Sequence, residues 1–316
     1  MEKLQFMLIL LLSPLAQGII KKLKAMMQGR RGTPVLQPYY DLARLFKKDM
    51  TIPGTASWIF HAAPYVVFAS VLAASMLVPV FSAGGRPSGL LAGGGGFFGM
   101  GDIIAIIYTL ALGRFFMALG GLDAGTVFGG EGSSREMTVA ILVEPSMMLA
   151  IFTVAAASGS TNLGVIANSG NFFFSPAHVL ALAAFFVAVI AETGRIPVDN
   201  PDTHLELTMI HEGMLLEYSG KYLAVMEWAH YMKQMLLFTL AADLFFPYGI
   251  AGAGAGAGIG IAAAGFWAGK MLALCFGMAL VESTRAKMRF FQLPSLLGAA
   301  FVLSALSMIT FVMTGK

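Results

Sequence analysis

Eight stretches of 17 to 25 predominantly apolar residues divide this 316-residue chain, and they leave few folds open to it. They lie at Leu4–Ile20, Ala62–Ser82, Gly101–Gly121, Met137–Ser158, Pro176–Thr193, Leu223–Pro247, Ile259–Val281 and Ser295–Met313. A helix needs about 20 apolar residues to cross the hydrocarbon core. In lipid the backbone must satisfy its own polar groups, which helices do within one segment. Only 12% of the residues are charged, about half the share of a soluble domain. The sequence therefore predicts an all-α integral membrane protein of about eight transmembrane helices, one polytopic domain over residues 1–316. Its two most polar loops are about 21–57 and 194–222. The first segment is followed by Lys21, Lys22 and Lys24 with no small-residue cleavage site, so it reads as a retained helix rather than a signal peptide.

Basic residues in the loops set the orientation. Fourteen of them, from Lys21 to Arg289, fall in the first, third, fifth and seventh loops, against Arg86 alone in the opposite loops. The main loops are expected to be cytoplasmic and both termini outside, in the cell membrane. A net charge of +3 gives no basis for binding nucleic acid. Cys275, the single cysteine, can form no disulfide, zinc site or iron–sulfur cluster alone. Gly93–Gly96 and Ala251–Gly258 read as flexible connections.

Ionisable residues inside spans are costly to insert, about 2.5–3.5 kcal/mol each, and call for a reason. On this orientation Arg114, Glu144, Glu192 and Glu227 lie in the cytoplasmic half, and Lys233 and Lys270 near the midplane. Asp102, His178 and Asp243 lie close to the outer ends. A carrier or channel complete in one chain offers polar groups through both halves. Here they stop at mid-depth, and the predicted continuation is sideways, into a neighbouring subunit. The alternative for each residue is a charge that only holds helices together.

The fifth loop is the most polar segment. It carries Arg195, Asp199, Asp202, His204, Glu206, His211, Glu212, Glu217 and Lys221, with Pro197 and Pro201 breaking the helix. Apolar residues such as Ile196, Val198, Leu205 and Met214 are interleaved with them, so the loop packs on something. Carboxylates set among apolar neighbours have raised and coupled pKa values, which suits proton exchange. Glu227 and His230 are one turn apart and can interact. His204 and His211 are seven residues apart; a metal site there competes with solvated or hydrogen-bonded histidines.

Three composite motifs carry a resemblance. The first is Glu192-Thr-Gly-Arg195-Ile-Pro-Val-Asp199, continued by Asn-Pro-Asp202-Thr-His-Leu-Glu206-Leu and then Glu217-Tyr218-Ser-Gly220. The second runs from Gln28-Gly-Arg30-Arg31-Gly32 through Gln37-Pro-Tyr-Tyr-Asp41 to Lys47. The third joins Gly101-Asp102, Arg114-Phe-Phe, Leu122-Asp123-Ala-Gly125, Ser134-Arg135-Glu136 and Leu142-Val-Glu144-Pro145. Together they span about two thirds of the chain and resemble the complex I subunit 1 family. That family includes the H subunit of bacterial NADH:quinone oxidoreductase and the matching subunit of membrane-bound hydrogenases. The short first loop and the Thr208–Leu216 bridge resemble the energy-converting [NiFe] hydrogenase branch. His204 and Thr33 depart from the quinone-type pattern, which has a glutamate and a proline there.

The resemblance implies a membrane anchor beneath a peripheral arm, itself without catalytic residues, cofactor or metal. Partner subunits, a hydrogenase large and small subunit, would carry the NiFe and 4Fe-4S centres. Antiporter-like membrane subunits would move the ions. Arg30, Arg31, Gln37, Asp41, Arg195 and Tyr218 would belong to the docking surface. Redox events there would act on Asp199, Asp202, Glu206, Glu212 and Glu217. Glu144, Glu192 and Glu227 would then relay the change, with Arg114 balancing their charge and Lys233 also on the path. Two other functions remain open from the residues: a quinone-site subunit of an NADH or F420H2 dehydrogenase, and a stand-alone ion transporter.

Overall fold

A computed structural model of the chain describes residues 2–80, 101–168, 175–199, 209–250 and 257–314. Among them the backbone is nearly all helix, with one isolated bridge between Asp102 and Asn162. The protein is an all-α membrane protein. The helices are α1 (Glu2–Met27), α2 (Gln37–Lys47), α3 (Trp58–Leu77), α4 (Ile103–Asp123), α5 (Val127–Ser158), α6 (Leu163–Asn168), α7 (Pro176–Glu192), α8 (His211–Leu215), α9 (Gly220–Phe245), α10 (Ala257–Thr284) and α11 (Leu293–Thr314). Asp202, His204 and Glu206 lie outside the described residues, as do Gly93–Gly96, Arg86 and most of Ala251–Gly258.

Short polar side chains fix several helix starts. Ser57, Asp102 and Thr126 accept backbone N–H groups of the first turns of α3, α4 and α5, satisfying donors that have no intrahelical partner. Ser175 does the same for α7, with Pro176 at the first helical position.

Among the described residues, six helices are long and apolar enough to cross a membrane: those of 6–27, 58–77, 103–123, 127–158, 258–284 and 290–314. The two other apolar stretches of the sequence correspond to α7, of 17 residues, and to α9, which carries Glu227, Lys233 and Asp243. α9 is polar because it is central. Every residue from Gln234 to Phe245 is buried, and α1, α2, α3, α7 and α10 all pack against it. A helix shielded from lipid by its neighbours can hold ionisable groups that an outer helix cannot.

α5 starts ten residues earlier than the hydropathy pattern predicts, at Val127 instead of Met137. Glycines at 129, 130 and 132 disguise it, since glycine disfavours helix in isolation. Here they permit close packing: a Cβ on Gly129 would run into the backbone of Gly121 on α4, the small-residue contact typical of membrane helices. Arg135 and Glu136, expected in a loop, are therefore helical.

The outer surface is apolar. Ile141, Ile261, Phe266, Val312 and Met313 are all more than 60% exposed in the isolated chain, a surface for lipid or for other apolar subunits. α2 differs: it turns Pro38 and Leu42 inward and leaves Tyr40 exposed, with Arg44 and Lys47 in its last turn. That is the character of a helix lying along a membrane surface.

A candidate ion-coupling site between α4, α5, α7 and α9

The site begins where α7 ends. Thr193 caps the helix, Gly194 takes a positive φ of 54°, and the chain turns so that Arg195 points back into the bundle. Glycine occupies that left-handed conformation without the penalty other residues meet. Glu192, last residue of α7, is thereby fixed inside the bundle with its side chain 3% exposed.

Three carboxylates and two cations converge there. Arg114 of α4 donates to Glu144 of α5 at 2.5 Å and to Glu192. Its Nε lies 3.9 Å from Glu136. Lys233 of α9 reaches Glu192 at 2.8 Å. Arg114 is 4% exposed at its side chain, whereas Glu144 is 36% exposed. The cluster thus touches the outside of the isolated chain at Glu144 alone among the three glutamates paired with Arg114, the other two being 3% and 15% exposed. With all five groups ionised the formal charge is −1, so uptake of one proton neutralises it.

Toward the loops the polar groups continue. A small pocket of about 30 Å³ is lined by Arg114, Glu136, Lys233, His211 and His230 among others. The two histidine rings lie 4.5 Å apart, and both also line a larger cavity of about 390 Å³. That cavity is bounded by Gln17, Lys21, Asp41, Arg195, Glu212, Tyr218, Glu227 and Tyr231, with Leu42, Leu45 and Leu215. Glu227 and Tyr231 stand one turn apart on α9 and both line it. Buried atoms without a hydrogen-bond partner mark the whole route: Nε of Arg114 and Arg195, Nε2 of His211, Nδ1 of His230 and Nε2 of Gln234. Unpaired buried polar atoms next to a cavity are where ordered water belongs. Burial lowers the pKa of His211 to about 4, so its ring is neutral near pH 7.

A second buried cluster flanks the first. Arg195 binds Glu282 of α10 at 3.1 Å, Gln234 of α9 at 2.7 Å and Gln17 of α1. Lys24 reaches the other Glu282 oxygen at 3.2 Å. Asp199 ties the loop down: it accepts the backbone N–H of Ile210 and of His211 at 3.2 and 3.1 Å and binds Lys287 at 2.7 Å.

The residues singled out in the sequence separate accordingly. Arg114, Glu144, Glu192 and Lys233 meet in one cluster, and Glu212 and Glu227 face the adjoining cavity. Asp199 sits in the loop clasp. Glu217 is half-buried and does not line the cavity. Arg30 and Arg31 are exposed and Gln37 donates to Asp41 at 2.9 Å. Arg195 and Tyr218, placed on the docking surface by their loop position, are instead buried, at 2% and 3% exposure. The left-handed turn at Gly194 carries Arg195 inward. Tyr218 stacks on Phe60 at 4.1 Å and donates to its carbonyl at 3.2 Å; burial raises the pKa of its hydroxyl. Sequence reasoning missed Glu136 and Glu282 as members of the site. Glu136 stands two turns before Glu144, a spacing that is visible once residues 127–136 are known to be helical.

Residues 2–314 match the NADH dehydrogenase family. The chain belongs to that family. Within it, the relatives include Hydrogenase-4 component C of Escherichia coli (strain K12), 36% identical over 98% of this chain and 95% of the relative. Formate hydrogenlyase subunit 4 of the same organism is 33% identical over 78% and 77%. The H subunit of NADH-quinone oxidoreductase from Anaplasma phagocytophilum (strain HZ) is 27% identical over 86% and 83%. This NADH dehydrogenase family chain therefore sides with the energy-converting hydrogenase branch. Its fold matches a chain in the structure of the membrane-bound sulfane sulfur reductase, an archaeal respiratory membrane complex. That match has a TM-score of 0.77 at 19% identity, covering 98% of this chain and 97% of the other.

Proposed function

We propose that this chain is the membrane anchor and ion-coupling subunit of a multisubunit membrane-bound [NiFe] hydrogenase-type complex. It crosses the cell membrane eight times with its main loops cytoplasmic. A peripheral arm of hydrogenase large and small subunits, carrying NiFe and 4Fe-4S centres, docks on the loops. Antiporter-like subunits adjoin the bundle.

One observation carries the coupling role. Carboxylates outnumber cations by one in the Arg114 cluster, and that cluster connects through His211 and His230 to a cavity beneath the loops. A buried net charge is costly, so the cluster favours holding one proton, and charge changes at the loop end bias whether it does. Glu144, being part-exposed, is the exit toward a neighbouring membrane subunit. Replacing Glu144 or Glu192 by Gln in the assembled complex is expected to leave hydrogen turnover in place and to lower the ions moved per electron pair. Unchanged pumping in both variants sinks the proposal.

A second reading, a quinone-site subunit, is favoured by the size of the 390 Å³ cavity and its Leu42, Leu45, Leu215 and Tyr218 walls. It predicts quinone-dependent turnover blocked by quinone-site inhibitors. A stand-alone transporter predicts ion uptake by the purified single chain in liposomes.

A further inference from the structure

α9 carries an ionisable group that the Arg114 cluster does not use. Asp243 is 1% exposed, and its Oδ2 has no hydrogen-bond partner. It lies nine residues beyond Gln234, about 13 Å along the helix at ~1.5 Å per residue. Phe238 and other apolar side chains fill the interval. Asp243 is therefore a separate polar island in the part of the bundle remote from the loops.

The other half of this island comes from α10. Thr239 of α9 contacts the Met271 sulfur at 3.9 Å, which sets the register of the two helices. One turn further along α9 is Asp243; one turn back along α10 is Trp267, so antiparallel helices bring them to the same level. Trp267 is 5% exposed and its Nε1 also lacks a partner. Lys270 sits between Trp267 and Met271. It is half-buried, on a helix whose neighbouring residues Phe266 and Leu272 are 62% and 52% exposed. Of the helices packed on α9, only α10 brings a charge that acts on Asp243, and that charge is Lys270 among the described residues. Their charged atoms are not within the 4 Å of a closed ion pair among the described salt bridges, in contrast to Lys233 and Glu192 at 2.8 Å.

A carboxylate oxygen and an indole N–H, both buried and both without a hydrogen-bond partner, are each expensive to hold so. A lysine placed on an otherwise apolar face and short of contact makes the same demand from outside. We propose that Asp243, Trp267 and Lys270 form a second proton-exchange site, which takes part in ion movement at the α9–α10 face. On uptake the donor's bond to hydrogen breaks as the O–H bond forms at Asp243 Oδ2, and on release the same exchange runs in reverse, with no change of oxidation state. Lys270 stabilises the charged form, and the exposed side of α10 is where an adjoining membrane subunit or water delivers the proton. The inference rests on the ion-coupling reading for its role in transport, though not for the existence of the site.

Two measurements on the complete purified complex test it. The first is pH-difference infrared spectroscopy of wild type and Asp243→Asn. A titrating protonated-carboxyl band present in wild type and missing from the variant is expected; identical spectra overturn the site. The second uses Asp243→Asn with Lys270→Gln, which removes both charges together and strands neither. In sealed vesicles the double variant is expected to move at least twofold fewer ions per electron pair, with hydrogen turnover within twofold of wild type. An unchanged ratio overturns the transport role, even where Glu144→Gln has lowered it and upheld the main proposal. Failure of both variants to assemble assigns the pair to structure alone and equally overturns the inference.

Discussion

Lys233 and Glu192 meet at 2.8 Å, although one lies midway along α9 and the other is the last residue of α7. The contact exists because α7 is short. Seventeen residues span about 25 Å at ~1.5 Å each, so its C-terminal end stops level with the interior of the longer α9. The pairing is unequal. Glu192 is held by both Lys233 and Arg114, while Arg114 alone faces three carboxylates.

That inequality predicts different costs for the two cations. Arg114→Gln strands Glu136, Glu144 and Glu192 around an uncharged side chain. Breaking a buried pair this way typically costs about 3–5 kcal/mol. Lys233→Met leaves Glu192 still bound to Arg114, and a loss of about 1.5–3 kcal/mol is expected, that of one charge-assisted hydrogen bond. Thermal stability of the purified complex, followed by fluorescence-detected size exclusion, checks the order. Equal losses would show that Arg114 does not organise the cluster.

His211 gives a pH dependence. Its pKa falls from the ordinary 6.5 to about 4, chiefly because burial disfavours the charged ring, with Lys233 acting in the same direction. Between pH 4 and 6.5 the unfolded chain binds more protons there than the folded one. Stability from this group is fully present above pH 6.5 and is lost as pH falls toward 4. The effect is about 3.5 kcal/mol at most, at ~1.4 kcal/mol per unit. His211→Gln should flatten the slope over this window in a pH series of melting temperatures. A slope that survives the substitution assigns it elsewhere.

How far the sequence foretold this depends on what each feature rests upon. The apolar spans were legible because lipid demands long uninterrupted runs. α9 was legible too, despite its charges, because the apolar residues between them keep the run going. The start of α5 was not, since Gly129, Gly130 and Gly132 read as a break until α4 is seen beside them. Arg114, Glu144, Glu192 and Lys233 were found because ionisable residues inside a span stand out. Glu282 and Glu136 were overlooked because each sits at the edge of an apolar run, where a charge looks ordinary. Arg195 and Tyr218 look like surface residues until the turn at Gly194 and the stacking on Phe60 are known, and no local pattern announces either.

The Asp199 clasp makes a prediction about the loops. Asp199→Asn keeps an oxygen for the Ile210 and His211 amides but gives up the charge that holds Lys287 at 2.7 Å. A charge-assisted bond contributes about 1.5–3 kcal/mol. Amide hydrogen exchange across residues 209–217 should accelerate by ten-fold or more in the variant, with α3 and α4 unchanged. Lys287→Ala should reproduce most of it. Protection at wild-type levels would mean that the loop is held by its apolar packing alone.

Glu136 offers the sharpest test of proton storage. The cluster as found has three carboxylates and two cations, and Glu136→Gln makes it two and two. The interior side chain keeps its shape and one acceptor oxygen, and Arg114 keeps Glu144 and Glu192, its two nearer partners. Removing the surplus charge should leave stability unchanged or raise it by about 1 kcal/mol, because a carboxylate in excess of the cations around it is a net cost in a mostly buried cluster. With no excess carboxylate there is no proton for the cluster to take up and give back. The variant is therefore expected to be fully assembled and active in hydrogen turnover, yet to move at least twofold fewer ions per electron pair in sealed vesicles. A purely structural role predicts the opposite pattern, with stability lost and the ratio intact. Melting temperature and ion-to-electron ratio, measured on the same preparation, separate the two.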